Sequence, residues 1–534
     1  MKILKICLIF LSFLALSGCE LINFLLFEET PPEQTGMLTV LSRENLDNYY
    51  SYTSKEVTEA NCRTNGEGDL FLIKYNNNNF DIKGSTTGYV TNASRAAEQN
   101  ICLSNINDES TQFNRIDFRY SEDFLTQNIN TNRSAEIINN NINQNYSIGT
   151  RKSFYIIPKL DNQQVAKSVN AELKYTSKYS YIWHVTDSDY ISSSSLVNLE
   201  YKEFKKLGDM FDKIYPIETN IFGEIDYSSN SNFIEPSEKV SILVYDINTD
   251  SHANQKSGTF GYFYPGDLYT SNPNSNKCNI FYIDDYFTYE GEKYIYSTLA
   301  HEFQHMLNFI NKKIKNYYLN SNTSIQTWYT EMLSLVAEEM LQKTIGIDDK
   351  ESPKSRLKIF NRYYYKGFTN WQEGNEVYIY YANAYAFGAF LVRNFGGSKL
   401  IKEIVNNSCL NQESITQALR TLGYNADFNS VCEKFAQTVI FTQNCNNNKF
   451  YSLNRQIEEQ DFSFDAIDLT TEFYANSISN YLYYGPVIFS PLSTNGLTDI
   501  GANSFSVHYI GKDIKNTSLS LPTSNIKLEL FECK

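Results

Sequence analysis

The sequence predicts an α+β chain of several domains, with β-rich regions on either side of a mixed centre in which strands give way to helices. Three observations predict it. Short alternating apolar runs broken by Asn-rich stretches fill Leu70 to about Pro158. Apolar residues recur at helical spacing over most of Lys293 to Phe441. Residues 446–534 return to short strands and turns. A length of 534 residues suits about three domains and a sizeable core.

Residues 1–18 read as an export signal. Lys2 and Lys5 precede an apolar stretch from Ile6 to Leu16 that is too short to span a bilayer stably. It ends in Leu16-Ser17-Gly18-Cys19, which resembles the bacterial lipobox. That resemblance implies lipidation of Cys19 and a bacterial membrane lipoprotein, extracytoplasmic, at the cell surface or in the periplasm. An ordinary cleaved signal with an incidental Cys is the alternative. Residues 19–36, with Pro31 and Pro32, read as a tether.

An N-terminal β domain is expected over 37–168, from runs such as Leu70-Phe71-Leu72-Ile73 and Ser153 to Ile157. Asn76 to Asn79 and Asn139 to Asn141 read as solvated connectors. The central domain is expected over 169–445. Leu173-Lys174-Tyr175 and Tyr179 to Val185 look like strands, and Leu196, Leu199, Phe204, Leu207, Phe211 and Ile214 trace a helix that stops before Pro216. Val240 to Tyr245 and Asn279 to Asp284 are compact strands, separated by Gly258 to Pro265, whose glycines allow close backbone approach. Residues 446–534 are expected to form a β-sandwich. No later stretch approaches the 18 or so uninterrupted apolar residues of a membrane-spanning helix.

Charge excludes one class of partner. With 46 Lys+Arg against 61 Asp+Glu the net charge is -15, so binding to a phosphate backbone is not expected, and nucleic acid is set aside. A 42% hydrophobic composition excludes wholesale disorder. Among nine cysteines, Cys7 falls in the signal and Cys19 at the anchor, leaving an odd number and no C-x-x-C pair for a thiolate zinc knuckle. Export permits disulfides, with Cys62 to Cys102 and a pair among Cys409, Cys432 and Cys445 the expected ones. A monomer is expected.

The chemistry concentrates in Leu299-Ala300-His301-Glu302-Phe303-Gln304-His305-Met306-Leu307-Asn308-Phe309. Residues four apart share a helical face, about 5 to 6 Å between Cβ atoms, so two imidazoles there can grip one Zn2+. Glu302 sits about 100° around the helix from His301, beside the metal and not on it, where a base is needed to take a proton from water. Ile295, Leu299, Phe303, Met306 and Ile310 form the core stripe, leaving the histidines on another face, toward a cleft. Two polar residues on a solvated face would be the bland account of the pair. With only five histidines in the chain, chance placement around a Glu is a poor explanation.

One catalytic zinc requires a third protein ligand and an open position. A second helical run covers Thr327 to Met340, with Glu331, Ser334 and Glu338 on one side. The interval of 26 positions from His305 to Glu331 lets the first helix end, a polar loop turn and the second helix return antiparallel. Glu331 is therefore the expected third ligand. Glu338, two turns on, is either the ligand instead or a hydrogen-bond partner of a ligand histidine. Glu339 points nearer the core.

Taken together, these strings resemble the glutamate-type zincins and, more closely, the hyicolysin family of bacterial zinc metallopeptidases, through Ala300 to Phe309 and Trp328-Tyr329-Thr330-Glu331-Met332-Leu333-Ser334. The likeness covers roughly 170–400. It implies a zincin-like domain, a small β-sheet with an active-site helix followed by a helical subdomain, and hydrolysis of protein or peptide substrates at the surface or outside the cell. It also implies an oxyanion donor, commonly His or Tyr. Tyr385 resembles the tyrosine that the helical part of some glutamate zincins sends into the cleft; His184, His252 and His508 lie elsewhere in the pattern. One departure stands out: thermolysin-like enzymes place an Asp four residues after the ligand Glu, where this chain has Leu335.

Three functions compete: a lipid-anchored zinc endopeptidase, a non-catalytic adhesin or binding lipoprotein on the same domain, and a zinc hydrolase of non-peptide amides. No acidic motif dedicated to a free N-terminus appears, which favours endopeptidase over aminopeptidase. Acidic turns such as Asp246 to Asp250 are where a structural Ca2+ would bind, although no motif supports one.

Overall fold

The computed structural model describes 68–82 and 145–533, except 161–164, 228–229, 321–322, 375, 443–450, 479–480, 490–498 and 521–525, together with the backbone of short strands at 37–39, 49–53, 59–63, 90–91 and 114–115. The signal, Cys19, the tether, Asn139 to Asn141, Cys102 and Cys445 lie outside the described residues. Cys409 and Cys432, two of the three cysteines expected to supply a pair, are both free thiols.

A six-stranded mixed sheet carries the centre. Its spatial order is Gly261–Tyr262, Ile280–Asp284, Val240–Tyr245, Ser180–Val185, Lys167–Thr176 and Arg151–Ile156. Val240–Tyr245 lies parallel to both of its neighbours, and every residue of it and of Ile280–Asp284 is buried. Both faces of these strands are covered, which is why they read as continuous apolar runs and not as alternating ones. Ile242, Val244, Phe281 and Ile283 join the main core with the helices, while Leu243, Tyr245, Ile280 and Tyr282 join a second cluster with Phe154 and Trp183.

The expected boundary at 168 cuts through this sheet. Arg151–Ile156 pairs antiparallel with Lys167–Thr176, so it belongs with the site-bearing sheet and not with an N-terminal domain. The terminal β regions also differ from two independent domains. Asp69–Asn76 lies between Ser504–Lys512 and Lys527–Cys533, antiparallel to both. Leu70, Leu72, Ile73 and Tyr75 are buried on that strand, and a strand so apolar needs pairing on both edges, which the C-terminal strands supply.

Four helices build the wall around the site. Tyr201–Phe222 begins with a Glu200/Glu203 capping box, Glu200 N donating to Glu203 Oε2 at 2.9 Å, and ends at Gly223 with φ 93°. It runs through Pro216, where the spacing predicted a stop. A proline inside a helix costs roughly 3 kcal/mol, and the burial of Ile221 and Phe222 beyond it offsets that cost. Against this helix pack Glu292–Phe309 and Thr327–Ile345, and Val377–Phe395 packs on the latter's other side. Gly388 makes that last approach close, since a Cβ there would meet Val336 Cγ2 at 2.6 Å.

Candidate metal centre

Asp284 accepts from Phe287 N at 3.0 Å and caps the short helix Asp285–Glu290, and Gly291 then starts Glu292–Phe309. Ile295, Leu299, Phe303 and Met306 are wholly buried on this helix, the stripe that periodicity predicts. The opposite stripe of Ser297, His301, Gln304 and Asn308 is buried too, against Thr327–Ile345. His301 therefore lies deeper than a residue facing a cleft: its side chain is 0% exposed, while that of His305 keeps 13%.

The two rings stand 4.5 Å apart at 87°, with their Nε2 atoms 3.0 Å from each other. Glu331 Oε2 lies 3.2 Å from His301 Nε2, and Oε1 lies 3.0 Å from His305 Nε2. The far nitrogens are engaged elsewhere. His301 Nδ1 lies 2.7 Å from Glu338 Oε1, and Ser297 Oγ donates to Glu338 Oε2. His305 Nδ1 meets Thr330 Oγ1 at 2.9 Å and Ser334 Oγ at 3.0 Å.

This donor set fits a metal ion. Glu338, a carboxylate, holds the ring proton of His301 on Nδ1, which turns the bare Nε2 inward. With Nε2 of His305 bare as well, the two nitrogens and the Glu331 carboxylate, facing one another in a buried space, would repel unless a cation lay among them. Ligand atoms about 2.0 to 2.1 Å from a tetrahedral zinc stand about 3.3 Å apart, close to the separations here. Three residues thus converge as ligand candidates, His301, His305 and Glu331, with Glu338 one step behind. Glu302, 2% exposed, sits on the same helix between the two histidines.

Tyr385 is the correction. It lies wholly buried on Val377–Phe395, where burial and then the charge of Glu339 push its hydroxyl well above the usual tyrosine range. Glu339 in turn forms a buried ion pair with Arg393. Residue 385 falls on the helix face that meets this pair, so the tyrosine serves packing and not the cleft. His508 is buried beside Ser506, and His184 packs its ring 5.2 Å from Phe204.

The acidic turn also differs from expectation. The carboxylate of Asp246 gathers with those of Asp284 and Asp285, while Asp250 contributes its backbone N, and the three clustered acids are buried. Their six oxygens accept from Asp250 N, Ser251 Oγ, Phe287 N, Ile247 N, Ser192 Oγ and Ser192 N, which accounts for the cluster as loop scaffolding. Gly261 meets the expectation of close approach: a Cβ there would lie 2.8 Å from Thr298 Cγ2, so the edge strand Gly261–Tyr262 passes directly over the histidine helix.

Sequence reading missed Thr330, Gln304 and Glu218. Ser334 Oγ donates to Gln304 Oε1 at 2.5 Å, and the Glu218 carboxyl is fully buried on Tyr201–Phe222. For Gln304 and Thr330 the available signal was their place one turn from His301 and Ser334 on the site-facing sides of the two helices; for Glu218 it was a carboxylate one turn from the core residues Ile214 and Ile221.

One comparison with known proteins spans this region. A family model described as Peptidase M30 matches residues 161–490. The neutral metalloprotease ShpI of Staphylococcus hyicus is 34% identical over 259 residues, 47% of this chain and 53% of that protein. The chain thus matches about half the length of this curated relative. Among solved structures, an M1 zinc metallopeptidase from Deinococcus radiodurans superposes with a TM-score of 0.25 at 10% identity, over 51% of this chain and 57% of that one. A point mutant of the same enzyme gives 0.27 at 10%, over 54% and 60%. Superposition that weak carries no weight for the fold or the site.

Proposed function

The chain belongs to the peptidase M30 family, and from that premise we propose that it is a zinc-dependent endopeptidase, held by His301, His305 and Glu331 around one catalytic ion. Zinc, when bound there, supplies Lewis acidity, polarising a scissile carbonyl and lowering the pKa of a water. Glu302 takes the proton of the attacking water and passes it to the departing amine nitrogen. Glu338 holds His301 in the tautomer that leaves Nε2 bare. A peptide substrate aligns as an added strand along Phe260 to Tyr264, beside the edge strand Gly261–Tyr262.

The observation that carries this reading is the convergence of two imidazole Nε2 atoms and a buried carboxylate, with the Nδ1 of His301 tied to a second carboxylate. Zinc content by atomic absorption and casein cleavage, measured on wild type and Glu302→Gln, test it together. Wild type is expected to hold about one zinc and to cleave, and the variant to hold zinc and lose cleavage. Zinc in the wild type without cleavage of any protein would support the binding-lipoprotein reading instead.

Membrane attachment through Cys19 belongs to the same proposal and rests on Leu16-Ser17-Gly18-Cys19. Among the described residues no helix is long and apolar enough to cross a membrane. Incorporation of labelled fatty acid into wild type but not Cys19→Ala is the expected result, and equal labelling of both would remove the anchor.

A further inference from the structure

His305 is the imidazole whose far nitrogen is met by hydroxyls. Its Nδ1 lies 2.9 Å from Thr330 Oγ1 and 3.0 Å from Ser334 Oγ. A hydroxyl has one proton and two lone pairs, so what Ser334 offers to Nδ1 depends on where its own proton points. Ser334 Oγ lies 2.5 Å from Gln304 Oε1 and 3.2 Å from Thr330 O, so the shorter bond takes the proton. Its lone pair then faces His305 and accepts the ring proton on Nδ1, an arrangement in which Thr330 Oγ1 must accept as well, and Nε2 is left bare toward His301 and Glu331.

Gln304 sets this direction. With its amide turned end for end, the NH2 would donate to Ser334, the serine proton would swing to Nδ1, and the ring proton would move to Nε2, where it blocks a cation. Gln304 is wholly buried, and its Nε2 has no hydrogen-bond partner among the described residues. We infer that Gln304 is a positioning residue that, through Ser334, fixes the tautomer of His305 and thereby the metal affinity of the centre. This rests on the zinc reading proposed above.

The test compares wild type, Gln304→Met, Gln304→Glu and Ser334→Ala by zinc affinity in competition with a chromophoric chelator, and by the absorption spectrum of the cobalt-substituted proteins. Met fills the space of Gln without an acceptor, and Glu keeps one. Gln304→Met and Ser334→Ala are each expected to weaken zinc by about tenfold or more and to alter the cobalt spectrum. Gln304→Glu is expected to stay within about threefold of wild type. Melting of the metal-free proteins reports whether each variant folds; should Gln304→Met fail to fold, Ser334→Ala decides. Wild-type zinc affinity and an unchanged spectrum in the folded variants overturn the inference. A wild type that binds no zinc overturns the underlying reading, and this inference with it.

Discussion

Glu338 Oε1 lies 2.7 Å from His301 Nδ1, seven residues beyond Glu331 on the same helix. Thermolysin-like enzymes use an Asp four residues after the ligand Glu, and here Leu335 occupies that place in the core. The longer reach of Glu from one turn further on supplies a carboxylate from a different position. Glu338→Gln keeps the shape and removes the charge. It is expected to weaken zinc about 10- to 100-fold, read by chelator competition. An unchanged affinity would mean that the carboxylate does not support His301.

Removing the metal should cost stability as well as activity. Without a cation, the Nε2 atoms of His301 and His305 and the carboxylate of Glu331 crowd one another in a buried space. Zinc present at about a thousand times its dissociation constant stabilises the native state by about 4 kcal/mol. Treatment with 1,10-phenanthroline should therefore lower the melting temperature by several degrees and abolish cleavage, and added zinc should restore both. A melting temperature indifferent to the chelator would speak against an ion at this site.

Much of the centre was legible because helical periodicity is local. Four-residue spacing placed His301 and His305 together, and an interval long enough for one helix, a loop and a second helix brought Glu331 back to them. Pairing between distant segments was not legible, because a strand does not name its partner. Asp69–Asn76 carries no sign that its neighbours are Ser504–Lys512 and Lys527–Cys533. The stop expected at Pro216 failed because tertiary burial outweighed a local penalty. Tyr385 was misplaced for a related reason: periodicity gives its helix a face but not the helix that meets that face.

Tyr385→Phe is expected to cleave casein within about threefold of wild type. The hydroxyl faces the buried Glu339–Arg393 pair, and removing a single hydroxyl from such a setting changes stability by about 0.5 to 1.5 kcal/mol. Steady-state kinetics beside a urea melt separate the two effects. A drop of a hundredfold or more in kcat with an unchanged melt would return this tyrosine to the reaction.

Glu218 makes stability depend on pH in an unusual direction. Its carboxyl is wholly buried, and neither oxygen has a hydrogen-bond partner among the described residues. Burial first, and the charge of Glu338 second, push its pKa well above the usual carboxylate range. An unfolded Glu releases its proton near pH 4.3, so above that pH the native state holds a proton that the unfolded state has lost. The stability contributed is full below the unfolded value and declines as pH rises toward the folded one, by about 1.4 kcal/mol for each unit of displacement. Glu218→Gln is neutral at every pH and is relieved of that decline. Urea melts of the metal-loaded proteins at pH 4, 6 and 8 should show the two nearly equal at pH 4 and the variant increasingly the more stable above it. A difference that stays constant across the series would mean that Glu218 ionises in the folded protein as it does in the unfolded chain.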